Sequence, residues 1–99
     1  MALDLIPYHK KNVLIIEDLA EMRSSMKSML ANMGVQQMET VNNGEEALAK
    51  LALNQYDIVF SDYELGRGKD GQQILEEVRY SGLIPAATVY IMVTAAQTV

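Results

Sequence analysis

From Asn12 onward, short apolar runs alternate with longer segments in which apolar residues recur at helical intervals. The runs are rich in β-branched residues and largely continuous, a pattern typical of parallel strands that are covered on both faces. Strands separated by helical segments predict βαβ units around one parallel sheet, an α/β fold. Four strands are predicted, at residues 13–16, 35–41, 58–61 and 88–93.

Three helical segments are predicted between these strands. The first is followed by Gly34, which predicts a left-handed residue at the end of the helix. We expect its apolar residues to pack in the core, methionines included: Met22, Met26, Met29, Leu30 and Met33. The second follows the turn Asn42-Asn43-Gly44, and its first acidic residues, Glu45 and Glu46, suit the positive end of the helix dipole. The third is identified by Ile74, Leu75 and Val78.

Length and composition narrow the possible functions. The 99 residues predict one domain, with residues 1–11 as a loose amino-terminal arm. Thirteen acidic and eight basic side chains give a net charge of -5, which disfavours direct binding to nucleic acid. Without cysteine there is no disulfide, thiolate zinc site or cysteine nucleophile. No apolar run approaches the roughly 20 residues that span a membrane. We therefore expect a cytoplasmic protein.

Polar side chains follow three of the four predicted strands. Glu17 and Asp18 follow the first strand, Asp62 follows the third, and Thr94 follows the fourth. In an open parallel sheet the active crevice lies beyond the carboxyl ends of the strands. If the first and third strands are neighbours, three carboxylates meet there and repel each other, by about 4 kcal/mol for two charges ~4 Å apart at an effective dielectric of about 20. A cation is therefore expected, and oxygen ligands favour Mg²⁺ or Mn²⁺ over zinc.

Over nearly its whole length the chain resembles the receiver domain of two-component response regulators. The matching residues are Val13-Leu14-Ile15-Ile16-Glu17-Asp18, Arg23 with Met26 and Leu30, Asn43-Gly44-Glu45-Glu46-Ala47-Leu48, Asp57-Ile58-Val59-Phe60-Ser61-Asp62, Asp70-Gly71 and Val93-Thr94-Ala95. The combination is much more specific than any one of its parts. It implies a doubly wound, flavodoxin-like sheet with strand order 2-1-3-4.

The resemblance also implies a function and a set of site residues. Asp62 would accept a phosphoryl group from a sensor histidine kinase or phosphotransfer protein, and Thr94 with Ala95 would bind and sense that group. The Mg²⁺ ligands would be the carboxylates of Glu17, Asp18 and Asp62 and the main-chain carbonyl of Glu64. Such a module is a conformational switch and not an enzyme, beyond its own phosphorylation and dephosphorylation.

The sequence departs from the family pattern after the fourth strand. Receivers continue into a fifth strand that ends in a lysine and then a last helix, whereas no lysine follows Lys69 here. We expect a truncated receiver that lacks the fifth strand, the last helices and the catalytic lysine, with impaired phosphorylation. Arg67 and Lys69 are more simply explained as solvated loop charges than as substitutes. The apolar fourth strand would be exposed, which predicts a homodimer or strand exchange.

Two other functions fit parts of the pattern. A phosphorylation-independent interaction module would keep the fold and lose the reaction. A haloacid-dehalogenase-like phosphatase would use the two carboxylates of Asp62-Tyr63-Glu64, although that fold carries the motif on its first strand. Asp57 and Asp70 are interpreted as turn and cap residues and not as ligands. The tyrosines show no spacing typical of a stacking platform, so we expect them to serve in packing.

Overall fold

The computed structural model describes residues 8–62, 70–82, 84–85 and 87–93. A short 3-10 turn at Tyr8–Lys10 precedes the first strand. In chain order the elements are β1 (Asn12–Ile16), α1 (Ala20–Asn32), β2 (Gln37–Val41), α2 (Gly44–Leu53), β3 (Ile58–Asp62), α3 (Gly71–Ser81) and β4 (Val89–Val93). The remainder of the predicted amino-terminal arm, residues 1–7, lies outside the described part of the chain.

The strands of the described residues form one parallel sheet in the order β2-β1-β3-β4, as predicted. Ile16 at the end of β1 lies opposite Val41 of β2 and Ser61 of β3, and Asp62 lies opposite Val93 of β4. The strands therefore end at a common edge. Because of this alignment, residues that follow different strands in the sequence lie together at the carboxyl edge of the sheet.

The sheet is covered on both faces, which makes the fold doubly wound and flavodoxin-like. Alternate residues of β1 point in opposite directions, and the four that follow the exposed Asn12 are all buried. One set packs with α1 in a cluster of Val13, Ile15, Met26, Leu30 and Val35. The other set packs with α2 and α3 in a larger cluster that includes Leu14, Ile16, Val41, Ala47, Leu51, Tyr56, Val59, Ile74 and Val78. The continuous apolar run of β1 follows directly from this two-sided burial.

The prediction that the methionines of α1 are core residues is wrong for three of them. Met26 is buried with Leu30, whereas the other three are between 43% and 51% exposed: Met22, Met29 and Met33. All four methionines lie along one side of the helix, but α1 contacts the sheet through a narrower stripe. Helical spacing identifies the apolar side of a helix and does not show how much of that side the sheet covers.

The half of the sheet formed by β3 and β4 is more exposed on the α1 face. Ile58 pairs with Val89, and Phe60 pairs with Ile91, so the four side chains share that face. Val89 is 52% exposed and Ile91 is 38% exposed. In the part of the chain that the structure describes, no helix packs over these two residues. This agrees with the expectation of an exposed, apolar fourth strand.

Local capping residues determine where the helices begin and end. Gly34 has φ 101°, and its N–H donates to the Ala31 carbonyl while the Val35 N–H donates to the Leu30 carbonyl, a Schellman arrangement that ends α1. The Asn43 side chain accepts from the Glu46 N–H at the start of α2. The predicted left-handed glycine after α1 is thus confirmed.

Candidate functional site

Three carboxylates meet at the carboxyl edge of the sheet. Glu17 directly follows β1, and its N–H donates to the Val41 carbonyl at 3.0 Å, so the residue continues the parallel ladder. Asp18 is the next residue, and Asp62 is the last residue of β3. One carboxylate oxygen from each lies within 4.8 Å of the others. The convergence that was predicted from the strand ends is therefore present.

Glu17 is the buried member of this group. It is 2% exposed, and its Oε2 atom has no hydrogen-bond partner among the residues that the structure describes. Burial raises the pKa of Glu17 to about 7; a hydrogen bond with Asp62 and the negative charges of Asp62 and Asp18 act in the same direction. A buried carboxylate oxygen without a donor is unfavourable unless a proton or cation compensates it. The cluster therefore suits a bound cation.

Arg23 of α1 supplies positive charge beside the cluster but is directed at the main chain. Its Nη1 donates to the carbonyl oxygen of Glu17 at 2.8 Å. The bond fixes the backbone where β1 leaves the sheet, and it leaves the carboxylate oxygens of Glu17 available to other partners. Arg23 is one of the residues that resemble those of receivers, and its contact is this hydrogen bond to the Glu17 main chain.

The main chain of Asp62 is packed against the start of α3. Ser61 is fully buried and its hydroxyl donates to the Asp62 carbonyl at 3.0 Å. A Cβ added to Gly71 would lie 2.5 Å from that carbonyl oxygen and 2.9 Å from the Ser61 Oγ. Only glycine fits at this contact without displacement of its neighbours. Tyr90 of β4 then donates its hydroxyl to the Gly71 carbonyl at 3.1 Å.

The two aspartates predicted to be structural have structural contacts. Asp70 forms a capping box with Gln73 at the start of α3, in which the side chain of each accepts from the main-chain N–H of the other. Asp57 lies at the opposite edge of the sheet, where its carboxylate accepts from the Asn12 N–H at 2.8 Å. Neither belongs to the acidic cluster.

Several residues named from the sequence lie outside the described part of the chain. They are Glu64, Arg67, Lys69, Thr94 and Ala95. Their proposed roles rest on the resemblance alone. Among the described residues, no helix has both the length and the apolar character needed to cross a membrane.

Comparison with known proteins agrees with this geometry. A family model described as "Response regulator receiver domain" matches residues 13–99. The response regulator TrrA from Thermotoga maritima, solved in complex with Mg²⁺-BeF, is similar at 31% identity with a TM-score of 0.76; the match covers 88% of this chain and 71% of that one. Chemotaxis protein CheY4 from Vibrio cholerae is similar at 26% identity and a TM-score of 0.76, over 89% and 71% of the two chains.

A further solved structure shares the fold at lower identity. The response regulator MaeR, bound to beryllium trifluoride, has a TM-score of 0.78 at 22% identity, over 89% of this chain and 70% of that one. The family match covers most of the sequence, and the strand order and the acidic edge are those expected from it. The chain belongs to the response regulator receiver domain family.

Proposed function

We propose that this chain is a phospho-accepting receiver that takes a phosphoryl group onto Asp62 with the help of Mg²⁺. Among the described residues, Glu17 belongs to a group of three carboxylates, and its buried Oε2 atom has no hydrogen-bond partner. This observation carries the proposal. The donor would be a sensor histidine kinase or phosphotransfer protein, and this chain would act in the cytoplasm. The family membership supports this class of partner.

The donor atoms of the acidic edge fit Mg²⁺. Glu17, Asp18 and Asp62 offer only carboxylate oxygens, which are ligands that hard divalent cations prefer. With these three, the Glu64 carbonyl would complete the protein ligands. When bound, Mg²⁺ supplies positive charge that neutralises phosphoryl oxygens and so allows an anionic nucleophile to approach. The related TrrA, which was solved with Mg²⁺-BeF, supports the assignment.

The residues of this chain would then divide the work of phosphoryl transfer. A carboxylate oxygen of Asp62 attacks phosphorus; a new P–O bond forms as the P–N bond to the donor histidine breaks, and the electron pair leaves with the imidazole. Glu17 and Asp18 would hold the metal ion, and Thr94 with Ala95 would bind the transferred group. Because no lysine follows Lys69, we propose that transfer to these 99 residues is slower than in receivers that carry the family lysine.

The two alternative functions are less well supported. In the phosphatase alternative the nucleophilic aspartate is on the first strand, whereas Asp62 ends the third strand here. The phosphorylation-independent module would have no need of the buried Glu17 carboxylate beside Asp62. The absence of a lysine after Lys69 fits the phosphorylation-independent module, whereas the group of three carboxylates favours the phospho-accepting receiver.

Titration with Mg²⁺ tests the ligand assignment. We expect the unmodified protein to bind Mg²⁺, and to bind it more tightly with beryllofluoride, which mimics a phosphoryl group. Asp62→Asn is expected to weaken Mg²⁺ binding by at least the roughly 10–100-fold seen when a supporting residue of a metal site is lost, and to remove the beryllofluoride effect. Calorimetric titration would measure both.

Asp57→Asn is the matched control for Asp62→Asn. It removes the same charge at the opposite edge of the sheet and keeps an oxygen that can accept from the Asn12 N–H. We expect its Mg²⁺ affinity to equal that of the unmodified protein. Equal Mg²⁺ binding before and after Asp62→Asn would show that the ligand assignment is wrong.

The exposed part of β4 supports a homodimer or strand exchange, which we propose as a second property of these 99 residues. Val89 and Ile91 form a partly exposed apolar pair on the edge strand of the described sheet. We expect the molar mass from light scattering to rise with concentration, and Ile91→Lys to keep the protein monomeric. Met29→Lys, which alters a similarly exposed residue on α1, should have no such effect. A monomer at every concentration would contradict the proposal.

A further inference from the structure

Tyr90 connects the edge strand β4 to the start of α3. Its side chain packs against the core cluster that lies between the sheet and the two helices α2 and α3. Its hydroxyl donates to the Gly71 carbonyl at 3.1 Å. Burial raises the pKa of Tyr90, and the negative charge of Asp70 adds to this, against the opposing effect of a hydrogen bond with Ser61. The hydroxyl therefore keeps its proton at neutral pH and remains a donor.

Gly71 is in direct contact with the main chain of Asp62. The position that a Cβ would occupy on Gly71 is 2.5 Å from the Asp62 carbonyl oxygen and 3.2 Å from its carbonyl carbon. No side chain of Gly71 intervenes that could change rotamer and absorb a displacement. The buried hydroxyl of Ser61 bonds to the same carbonyl oxygen at 3.0 Å. A shift of Gly71 is therefore transmitted to the last residue of β3.

The strand register places this contact beside the acidic cluster. Tyr90 pairs with Val59 of β3, three residues before Asp62. Its side chain extends from there to the first residue of α3, so that β4, α3 and the end of β3 are joined through main-chain oxygens. Asp62 is flanked on one side by Glu17 and Asp18 and on the other by this junction.

We infer that Tyr90 is a positioning residue for Asp62: its hydroxyl holds Gly71 against the Asp62 main chain and thereby fixes the Asp62 carboxylate relative to Glu17 and Asp18. The inference rests on the proposed role of Asp62 as a Mg²⁺ ligand and phosphoacceptor. A ligand whose backbone is held in place loses less freedom when the cation binds, so affinity for the cation depends on the supporting residue.

Tyrosine-to-phenylalanine substitutions test this inference, because the chain offers two matched controls. Tyr80 is 97% exposed, so Tyr80→Phe removes a hydroxyl from the surface. Tyr56 is buried and its hydroxyl donates to Glu39 at 2.8 Å, so Tyr56→Phe removes a hydrogen bond of similar kind far from Asp62. We expect Tyr90→Phe to weaken Mg²⁺ binding by about tenfold, near the lower end of the effect of supporting residues in metal sites. Both controls should keep the unmodified affinity.

Two measurements separate positioning from general stability. The Mg²⁺ dissociation constant is measured by calorimetry well below the unfolding temperature of each variant, and amide exchange at Gly71 and Gln72 is measured without metal. Tyr90→Phe should weaken Mg²⁺ binding and speed exchange at these amides. Tyr56→Phe should lower the unfolding temperature and leave the other two quantities unchanged. If Tyr90→Phe binds Mg²⁺ as tightly as Tyr56→Phe, the inference is overturned while the proposed function stands. If the unmodified protein binds no Mg²⁺, the proposed function fails first.

Discussion

Glu17→Gln is expected to raise the free energy of unfolding of the metal-free protein at pH 8 by up to about 3 kcal/mol, from the difference between a pKa of 4.5 and about 7. At pH 8 the buried carboxylate is charged, and its Oε2 has no hydrogen-bond donor among the described residues. Glutamine has the same shape without the charge, so the repulsion from Asp62 and Asp18 disappears. Urea unfolding measures the difference.

The raised pKa of Glu17 also determines how the free energy of unfolding depends on pH. Glu17 has a pKa of about 7 in the folded protein against 4.5 as its ordinary value, so the folded state binds the proton more tightly than the unfolded state. The contribution of Glu17 to stability is therefore fully present below about pH 4.5, is lost as pH rises towards 7, and is constant above that. Glu17→Gln should lack this slope. Glu45→Gln, an exposed acid in α2, should keep it.

Mg²⁺ should reverse the order of stability. A ligand that binds only the folded state adds about 4.1 kcal/mol at 1,000 times its dissociation constant, which exceeds the advantage of up to about 3 kcal/mol expected for Glu17→Gln without metal. The unmodified protein should gain this stabilisation, and Glu17→Gln should lose most of it because the substitution replaces a carboxylate that we propose as a ligand with an amide. A variant that is less stable than the unmodified protein at pH 8 without metal would contradict this account of Glu17.

The sequence predicted the sheet and the acidic edge because both depend on simple periodicities. Continuous apolar runs required strands covered on two faces, and parallel strands necessarily end at a common edge. Glu17, Asp18 and Asp62 follow two such runs, so their convergence needed only β1 and β3 to be neighbours. The separate burial of Glu17 could not be predicted, because a Glu-Asp pair does not reveal which carboxylate faces inward.

Boundaries and contacts between elements were less predictable. The second strand was expected from Val35 but begins at Gln37, because the Val35 N–H donates to the Leu30 carbonyl and completes the end of α1. The Tyr90 contact with Gly71 depends on the position of α3 relative to β4, for which spacing between tyrosines gives no signal. The exposure of Met22, Met29 and Met33 was unpredictable for the same reason, because the burial of a helix side chain depends on which neighbouring elements pack over it.

Acetyl phosphate is expected to label the protein with one phosphoryl group per chain, and Asp62→Asn is expected to abolish the label. An amide nitrogen of asparagine carries no negative charge and is a poor nucleophile towards phosphorus, so no residual reaction is expected at that position. Intact-mass measurement with and without Mg²⁺ would follow the label. The adduct should be removed by hydroxylamine, which cleaves acyl phosphates, and Asp57→Asn should be labelled like the unmodified protein.

The stoichiometry of this reaction distinguishes the three functions. A receiver stops at one label per chain, since its product remains attached to Asp62 until it hydrolyses. A phosphatase with Asp62 as nucleophile would instead release many phosphates per chain from p-nitrophenyl phosphate, and a phosphorylation-independent module would take no label at any Mg²⁺ concentration. Raising Mg²⁺ should speed the labelling until the proposed site of Glu17, Asp18 and Asp62 is saturated. A rate independent of Mg²⁺ would contradict the role proposed for these carboxylates.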